Sequence, residues 1–372
     1  MTDAVLGMVE SLVTLHISKI VHGGHCLGYE TGSQESRTYF VRHTLPGEVV
    51  RARVTGRSSK VIRADAIEII EPSPHRVSAP CAFSGPALCG GCDFQHVSLD
   101  YQRELKEQVL RESMQRFAGL DHLPDTTVHG LSQEALGWRA RVAYAQAPSG
   151  QWGLRGHHSH DVVAIDRCLT AAPESQTPGP EVPVLKPEVL GRTWRIPPGV
   201  FWQPHRLAAP ALAACVMDFG RPQLGEVWWD LYAGAGLFTA FLGEAVGPEG
   251  RVHSVEASGE AIKAARRALH DLPQVVLHEK DAGPWQQSFS GVDGVVLDPP
   301  RAGAKEVVLG RTAAAAPRVI VYVACDPVSL ARDTAILMRL GYDLTALRAF
   351  DAFPMTHHFE TVARFTPTSQ PG

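Results

Sequence analysis

From about Val227 to its C-terminus the chain alternates short apolar strands with helices, and no other feature constrains its fold as tightly. VWWDLYA leads to LFTAFLGEA, and RVHSVEA leads to GEAIKAARRAL. The series continues through QVVLHEKDA, GVVLDPP, EVVLGRTAAAA, RVIVYVAC and PVSLARDTAILMRLG. Near-continuous apolar strands separated by helices predict a doubly wound parallel sheet, because such strands must be covered on both faces. Ligands of these sheets bind outside the carboxyl ends of the strands.

Residues 12 to 70 read differently. LVTLHISKIV, TYFVRH, EVVRARVTG and SSKVIRADAIEII are short, closely spaced strand patterns with glycine turns, and they predict an OB-type β-barrel. Arg51, Arg53, Arg57, Lys60 and Arg63 fall where no acidic residue occurs between Val49 and Ala64. Arg51 and Arg53 share one strand face. Such cations either contact nucleic-acid phosphates or only keep an exposed edge from aggregating. EPSPHRVSAP, residues 71 to 80, has the composition of a domain boundary. A helix follows over residues 99–118, with Leu105, Val109 and Phe117 on one side and Lys106, Glu107 and Glu112 elsewhere; it is expected to pack on the C-terminal domain. WRARVAYAQ and QWGLRG read as strands, and TAAPESQTPGPEVPVLKPEV as a long surface loop. The expected division is a barrel at 1–73, a small central α+β domain at 74–200 and the doubly wound domain at 201–372.

The 372 residues carry a formal net charge of -4, so any nucleic-acid surface is a local patch. No apolar run is long enough to span a bilayer, and MTDAVLGMVESLV lacks the marks of a signal peptide; a cytoplasmic location is expected. Seven cysteines, an odd number in a reducing compartment, point to metal binding or catalysis rather than a disulfide framework.

Three patterns carry chemistry. Asp230-Leu-Tyr232-Ala-Gly234-Ala-Gly236 occupies the first strand-to-helix turn, where glycines admit a ligand close to the backbone. Glu256 ends the next strand, placed to accept from ribose hydroxyls; neither the longer dinucleotide fingerprint nor a triphosphate loop is present. Cys81, Cys89 and Cys92 sit in a Gly- and Pro-rich loop that suggests a metal or cluster, with Cys168 the best fourth ligand; zinc and an iron–sulfur cluster both accept four thiolates. Cys325 ends a strand on the ligand-binding edge. A cysteine there can be merely a small buried hydrophobe. Asp298 ends the preceding strand, however, and Glu360 follows His357 and His358 before the last apolar strand. Together they offer a nucleophile, a group to orient a base and a proton acceptor.

The order of elements and the glycine turn resemble the S-adenosylmethionine-dependent methyltransferases, and the whole chain resembles their RNA uracil-C5 methyltransferase family. Leu45-Pro46-Gly47-Glu48 is similar to a phrase of that family's TRAM domain. Cys81, Cys89-Gly-Gly-Cys92 and Cys168 resemble its iron–sulfur motif, with Gln95-His96 following as in the family. Phe201-Trp202-Gln203-Pro204-His205, Asp298-Pro-Pro-Arg301, Ala324-Cys325-Asp326-Pro327 and the segment Phe353 to Glu360 match its remaining motifs. The chain departs with Ala233 for a cysteine, and with His205 and Asp326 where asparagines are usual.

The resemblance implies Cys325 as nucleophile and Glu360 as base. It implies Gln203, Tyr232, Gly234, Glu256, Asp281 and Asp298 around S-adenosylmethionine, with Asp298 also on the pyrimidine edge. It implies a 4Fe–4S cluster on Cys81, Cys89, Cys92 and Cys168. The expected partner is ribosomal or transfer RNA, bound in part through Arg51 and Arg53, by a monomer with no membrane association. An amino-group methyltransferase would share the acid-Pro-Pro motif without needing Cys325, and a non-enzymatic RNA-binding protein would not bind the cofactor.

Overall fold

The computed structural model describes residues 12–30, 37–58, 61–157, 159–283, 285 and 291–368; Lys60 and most of the N-terminal pattern lie outside them. The chain forms two compact units. The first comprises the described residues up to Leu105, with Ala145–Asp166 and Met355–His357; the second comprises Lys106–Tyr144, Arg167–Pro354 and the described residues from His358 onward.

In the first unit, β1 (Leu12–Val21), β2 (His25–Glu30), β3 (Tyr39–Arg42), β4 (Val49–Arg57) and β5 (Ile62–Glu71) close into a barrel in the order β1-β2-β3-β5-β4. Only the β3–β5 pairing is parallel, so the predicted OB-type barrel forms. Leu15 and Ile17, Val50 and Ala52, and Ala64 and Ala66 recur at every second residue and fill its interior. Glu48 is fully buried. Its carboxylate accepts from Leu45 N at 2.8 Å, Ser73 N at 3.2 Å and Arg76 Nε at 2.5 Å. The Pro- and Ser-rich stretch is therefore tied into the barrel through Arg76 rather than serving as a free linker. The same unit holds a small sheet of β7 (Ala145–Gln146), β8 (Trp152–Arg155) and β9 (Val162–Ala164). WRARVAYAQ yields only Ala145–Gln146 as strand. Its earlier residues are held irregularly: Arg139 forms isolated bridges to Ala171 and His205, and the Arg141 guanidinium donates to Pro197 O and Val200 O.

The second unit pairs β10 (Glu188–Val189) with β11 (Arg192–Thr193) and is built on a sheet containing β6 (Val128–Gly130), β12 (Val227–Leu231), β13 (Arg251–Glu256), β14 (Val275–Glu279), β15 (Gly294–Leu297), β16 (Val319–Ala324), β17 (Tyr342–Asp351) and β18 (Glu360–Pro367), ordered β14-β13-β12-β15-β16-β18-β17-β6. Strands β14 to β16 are parallel, as expected. β18 runs antiparallel to both β16 and β17, so the sheet is mixed rather than purely parallel. The connection between β17 and β18, residues 352–359, is too short for the crossover a parallel pair needs.

One face of the sheet is covered by α2 (Ala208–Gly220), α3 (Leu237–Val246) and α4 (Gly259–Ala268). The other is covered by α5 (Lys305–Ala314), α6 (Pro327–Arg339) and the end of α1 (Leu99–Ser113) with its π-turn at Met114–Ala118. Trp228 and Trp229 point into these two cores in turn, as successive strand residues must. Trp228 fits only because Gly294 has no side chain; a Cβ there would lie 2.4 Å from its ring. Among the described residues no helix is long and apolar enough to cross a membrane.

Candidate active site at the carboxyl edge of the sheet

A cavity of about 590 Å³ opens at the carboxyl ends of β12, β13, β15 and β16, where the topology predicts a ligand site. Gln203, Tyr232, Gly234, Glu256, Asp298, Cys325 and Glu360 all line it. Residues far apart in sequence meet because two neighbouring strands end there and the antiparallel strand beside them begins there. Asp298 follows β15, Cys325 follows β16 and Glu360 begins β18. Ala324 is paired with Thr361, whose hydroxyl donates to Ala324 O at 3.0 Å, and this register sets Cys325 opposite Glu360. Asp281 is not among the lining residues; its Oδ1 accepts from Gly283 N at 2.7 Å in the loop after β14.

The unusual residues of the two motifs have local explanations. Asp326 is the N-cap of α6, with Oδ1 accepting from Ser329 N at 2.8 Å and Pro327 in the first turn. Aspartate and asparagine serve equally as N-caps, so the cap survives the change. His205 Nδ1 accepts from Leu207 N at 3.0 Å ahead of α2, a bond an asparagine oxygen could also make. Burial pushes His205 down to about 4, so its ring is neutral at physiological pH; it stacks on Trp138 at 5.7 Å.

The chemistry centres on a buried group of acids. Burial, then the neighbouring Glu360 and Asp298 carboxylates, push the Cys325 thiol up to about 12; Arg301 opposes them. Burial and the charges of Asp230 and Glu256 raise Asp298 to about 7. Burial and Asp298 hold Glu360 well above the usual carboxylate range, again opposed by Arg301. Arg301 lines the cavity, and its Nη2 lies 3.0 Å from His358 Nε2. Its loop is pinned from below by Asp333, whose Oδ2 accepts from Ala304 N at 2.7 Å and from Tyr322 Oη at 2.5 Å.

The other side of the cavity suits an adenosyl cofactor. Tyr232 and Gly234 both have left-handed backbone, φ 64 and 56, and a Cβ on Gly234 would meet nothing within 4 Å. Glu256 is held by Gly234 N at 2.9 Å and Ser258 N at 2.7 Å, which fixes its carboxylate on the cavity wall. Gln203 Oε1 is buried and has no hydrogen-bond partner among the described residues, leaving an acceptor for a donor of the ligand. The residues present therefore fit S-adenosylmethionine, whose ammonium and ribose groups supply donors. Phe201, 64% exposed, and Arg301 also line the cavity. Both stand inside motifs recognised in the sequence, yet neither was assigned a role, because exposure at a cavity mouth depends on the fold.

Other expected site residues lie elsewhere. Arg51 faces Glu68 across β4 and β5, with Nη1 3.0 Å from Oε2, and Arg53 is in register with Asp65. The span lacking acids in sequence is thus supplied with acids by the adjacent strand, which reduces the positive field at Arg51 and Arg53. Cys81, Cys89 and Cys92 lie in the first unit and Cys168 in the second. Among the described residues no three His, Cys, Asp or Glu side chains are gathered so as to hold a metal. Cys168 Sγ instead lies 3.2 Å from Thr170 Oγ1, and Gly91 N donates to Cys89 Sγ at 3.4 Å.

Comparison with known proteins bears on the same region. Residues 286–365 match the family model described as tRNA (Uracil-5-)-methyltransferase. A Streptomyces avermitilis protein named as an uncharacterized RNA methyltransferase is 36% identical, over 96% of this chain and 98% of its own length. The 23S rRNA (uracil(1939)-C(5))-methyltransferase RlmD of Pseudomonas aeruginosa is 30% identical, over 94% of this chain and 93% of its own. Among solved structures, the Pyrococcus abyssi tRNA (uracil-54, C5)-methyltransferase in complex with S-adenosyl-L-homocysteine has a similar fold, with a TM-score of 0.70 at 22% identity, over 94% of this chain and 99% of that one.

Proposed function

The chain belongs to the RNA uracil-C5 methyltransferases, which depend on S-adenosylmethionine, and on that premise we propose that it methylates C5 of a uridine in ribosomal RNA through a covalent bond from Cys325 Sγ to C6. The observation that carries the mechanism is the convergence of Cys325, Asp298 and Glu360 on one cavity. The target class rests on the Pseudomonas aeruginosa relative, which is similar over nearly its full length.

Uracil C5 is a weak nucleophile. Addition of the Cys325 thiolate to C6 breaks the C5–C6 double bond and places the electron pair on C5 as an enolate. Asp298 orients the pyrimidine edge, and Arg301 offsets the negative charge that develops beside the acids. Gln203, Tyr232, Gly234 and Glu256 would hold S-adenosylmethionine, whose sulfonium would supply the methyl group that the C5 electron pair takes, with S-adenosylhomocysteine as the leaving group. Once C5 carries both a methyl group and its original proton, Glu360 removes that proton. The pair reforms the double bond and expels the Cys325 thiolate. A uridine inside folded RNA must leave its stack to reach the cavity.

Further assignments accompany this reading. Asp281 completes the adenine end of the cofactor site. Residues 1–73 serve RNA binding, with Arg51 and Arg53 contributing to phosphate contact; residues 74–200 form the central domain and residues 201–372 catalyse, in a cytoplasmic monomer. The test is nucleoside mass spectrometry with site mapping on RNA from a deletion strain. Loss of one 5-methyluridine from ribosomal RNA is expected. Loss from transfer RNA alone overturns the target class, and no loss from either overturns the activity.

The iron–sulfur assignment to Cys81, Cys89, Cys92 and Cys168 is supported by their resemblance to the family's iron–sulfur motif, since four thiolates alone would equally suit zinc. Protein purified without oxygen is expected to be brown, with iron and sulfide near four of each per chain. A colourless protein with stoichiometric zinc, or with no metal, overturns it.

A further inference from the structure

The segment that ends in Glu360 is gripped five and three residues earlier, at Met355 and His357, in a way the reaction does not itself require. Met355 has left-handed backbone, φ 67, which a non-glycine residue holds only when its surroundings over-determine it. Those surroundings are hydrogen bonds. Asp93 N and Phe94 N both donate to Met355 O at 2.9 Å, and Met355 N donates to Gln102 Oε1 at 2.8 Å. Gln102 is itself locked, its Nε2 donating to Val97 O at 2.9 Å and Phe94 O at 3.2 Å. Then comes His357, whose Nδ1 lies 2.6 Å from Asp93 Oδ2. Its ring is backed by Gly24 in the turn between β1 and β2, where a Cβ would come within 3.1 Å of it. Arg42, at the end of β3, lies 3.9 Å from the other oxygen of Asp93.

We infer that Asp93 is a positioning residue for the base: by holding His357 it fixes where the chain enters β18 and so where Glu360 is presented. Glu360 is three residues beyond His357, so the chain between them spans at most about 10 Å and transmits a displacement with little slack. His358 and Glu360 both face the group formed with Arg301 and Cys325, where a shift of about 1 Å can cost on the order of a hundredfold in rate. The pair is absent from any motif in the sequence, because Asp93 and His357 are brought together only by the fold. The inference rests on the reading of Glu360 as the base.

The test compares Asp93→Ala, His357→Ala, their double variant, Asp93→Asn and Glu360→Gln in the full-length protein, on RNA transcribed without modification. Kinetics with methyl-labelled cofactor are read beside denaturing gels for covalent protein–RNA complex. The alanine variants are expected to lose roughly 10- to 100-fold in kcat with KM for RNA within about twofold, and to accumulate a methylated complex, since only proton removal is slowed. The double variant should fall no further than the worse single variant, within about twofold, because both sever one link. Asp93→Asn keeps an acceptor oxygen and should recover most of the loss.

Multiplicative losses in the double variant overturn the inference, as do normal kcat values or a loss confined to KM. If Asp93→Ala does not fold, His357→Ala decides; if neither folds, the contact is only structural and the inference falls. Glu360→Gln separates the two levels. Complex trapped by Glu360→Gln but not by the alanine variants overturns the positioning role and leaves the base standing. Normal turnover of Glu360→Gln removes the base reading itself.

Discussion

Cys325→Ala is expected to abolish methylation while binding S-adenosylhomocysteine within about twofold of the parent protein, whereas Glu360→Gln is expected to trap a methylated protein–RNA complex. The two residues sit opposite each other across β16 and β18, and both line the cavity, but they act at opposite ends of the reaction. Removing the thiol prevents the enolate from forming, so nothing downstream occurs and no shifted band appears. Removing the carboxylate leaves addition and methylation intact and blocks only the loss of the C5 proton. Each change should lower turnover by at least about a thousandfold, the scale on which removal of a nucleophile or a paired base acts. The electrostatics add a direction with pH. Cys325 is raised to about 12 and Glu360 is also raised, and both act in their deprotonated forms. Single-turnover rates should therefore fall as pH falls through neutrality, by up to about tenfold per unit while one deprotonation limits the step. Normal turnover by Cys325→Ala would return the chain to the amino-group class, which needs no thiol. A rate that rises as pH falls would show that one of the two acts as an acid.

How much of this was visible beforehand depends on how local each cause is. The strands and helices after Val227 follow from hydrophobic period, and their carboxyl edge follows from topology, so Cys325, Asp298 and Glu256 were correctly brought to one edge. The barrel was visible for the same reason. The direction of β18 was not, since it depends on the short 352–359 connection and not on the strand's own pattern. Arg51 looked uncompensated because Glu68 is its neighbour only across a strand pair. WRARVAYAQ has the composition of a strand, but only Ala145–Gln146 pairs with another strand, and tertiary contacts of Arg139 and Arg141 decide the path of its earlier residues. The grip of Asp93 on His357 joins residues whose neighbouring motifs were both recognised, yet pairing is a property of the fold.

Lys106→Met is expected to destabilise the second unit by about 3–5 kcal/mol, the cost of leaving a buried charge without its partner. By sequence Lys106 belongs to the polar side of α1. In the structure its side chain is 1% exposed, and Nζ lies 2.5 Å from Asp351 Oδ1, which is fully buried at the end of β17. A third group, Phe353 O, accepts from the same ammonium at 3.2 Å. Methionine fills the space of the lysine stem but cannot donate, so Asp351 loses the Lys106 ammonium and must stay charged without it or take up a proton. For a unit of this size such a loss lowers the thermal midpoint by on the order of 10 °C. Differential scanning calorimetry with and without S-adenosylhomocysteine reads it, because cofactor binding marks which transition belongs to this unit. The double variant Lys106→Met, Asp351→Leu distinguishes the cause. If the cost is a stranded charge, replacing both partners by apolar groups should restore most of the midpoint, since a buried pair contributes little net stability over a well-packed apolar one. If the double variant is as unstable as Lys106→Met, the loss comes from packing and the bond to Phe353 O. An unchanged midpoint in Lys106→Met would mean that water reaches Asp351 and that the pair is not buried in solution.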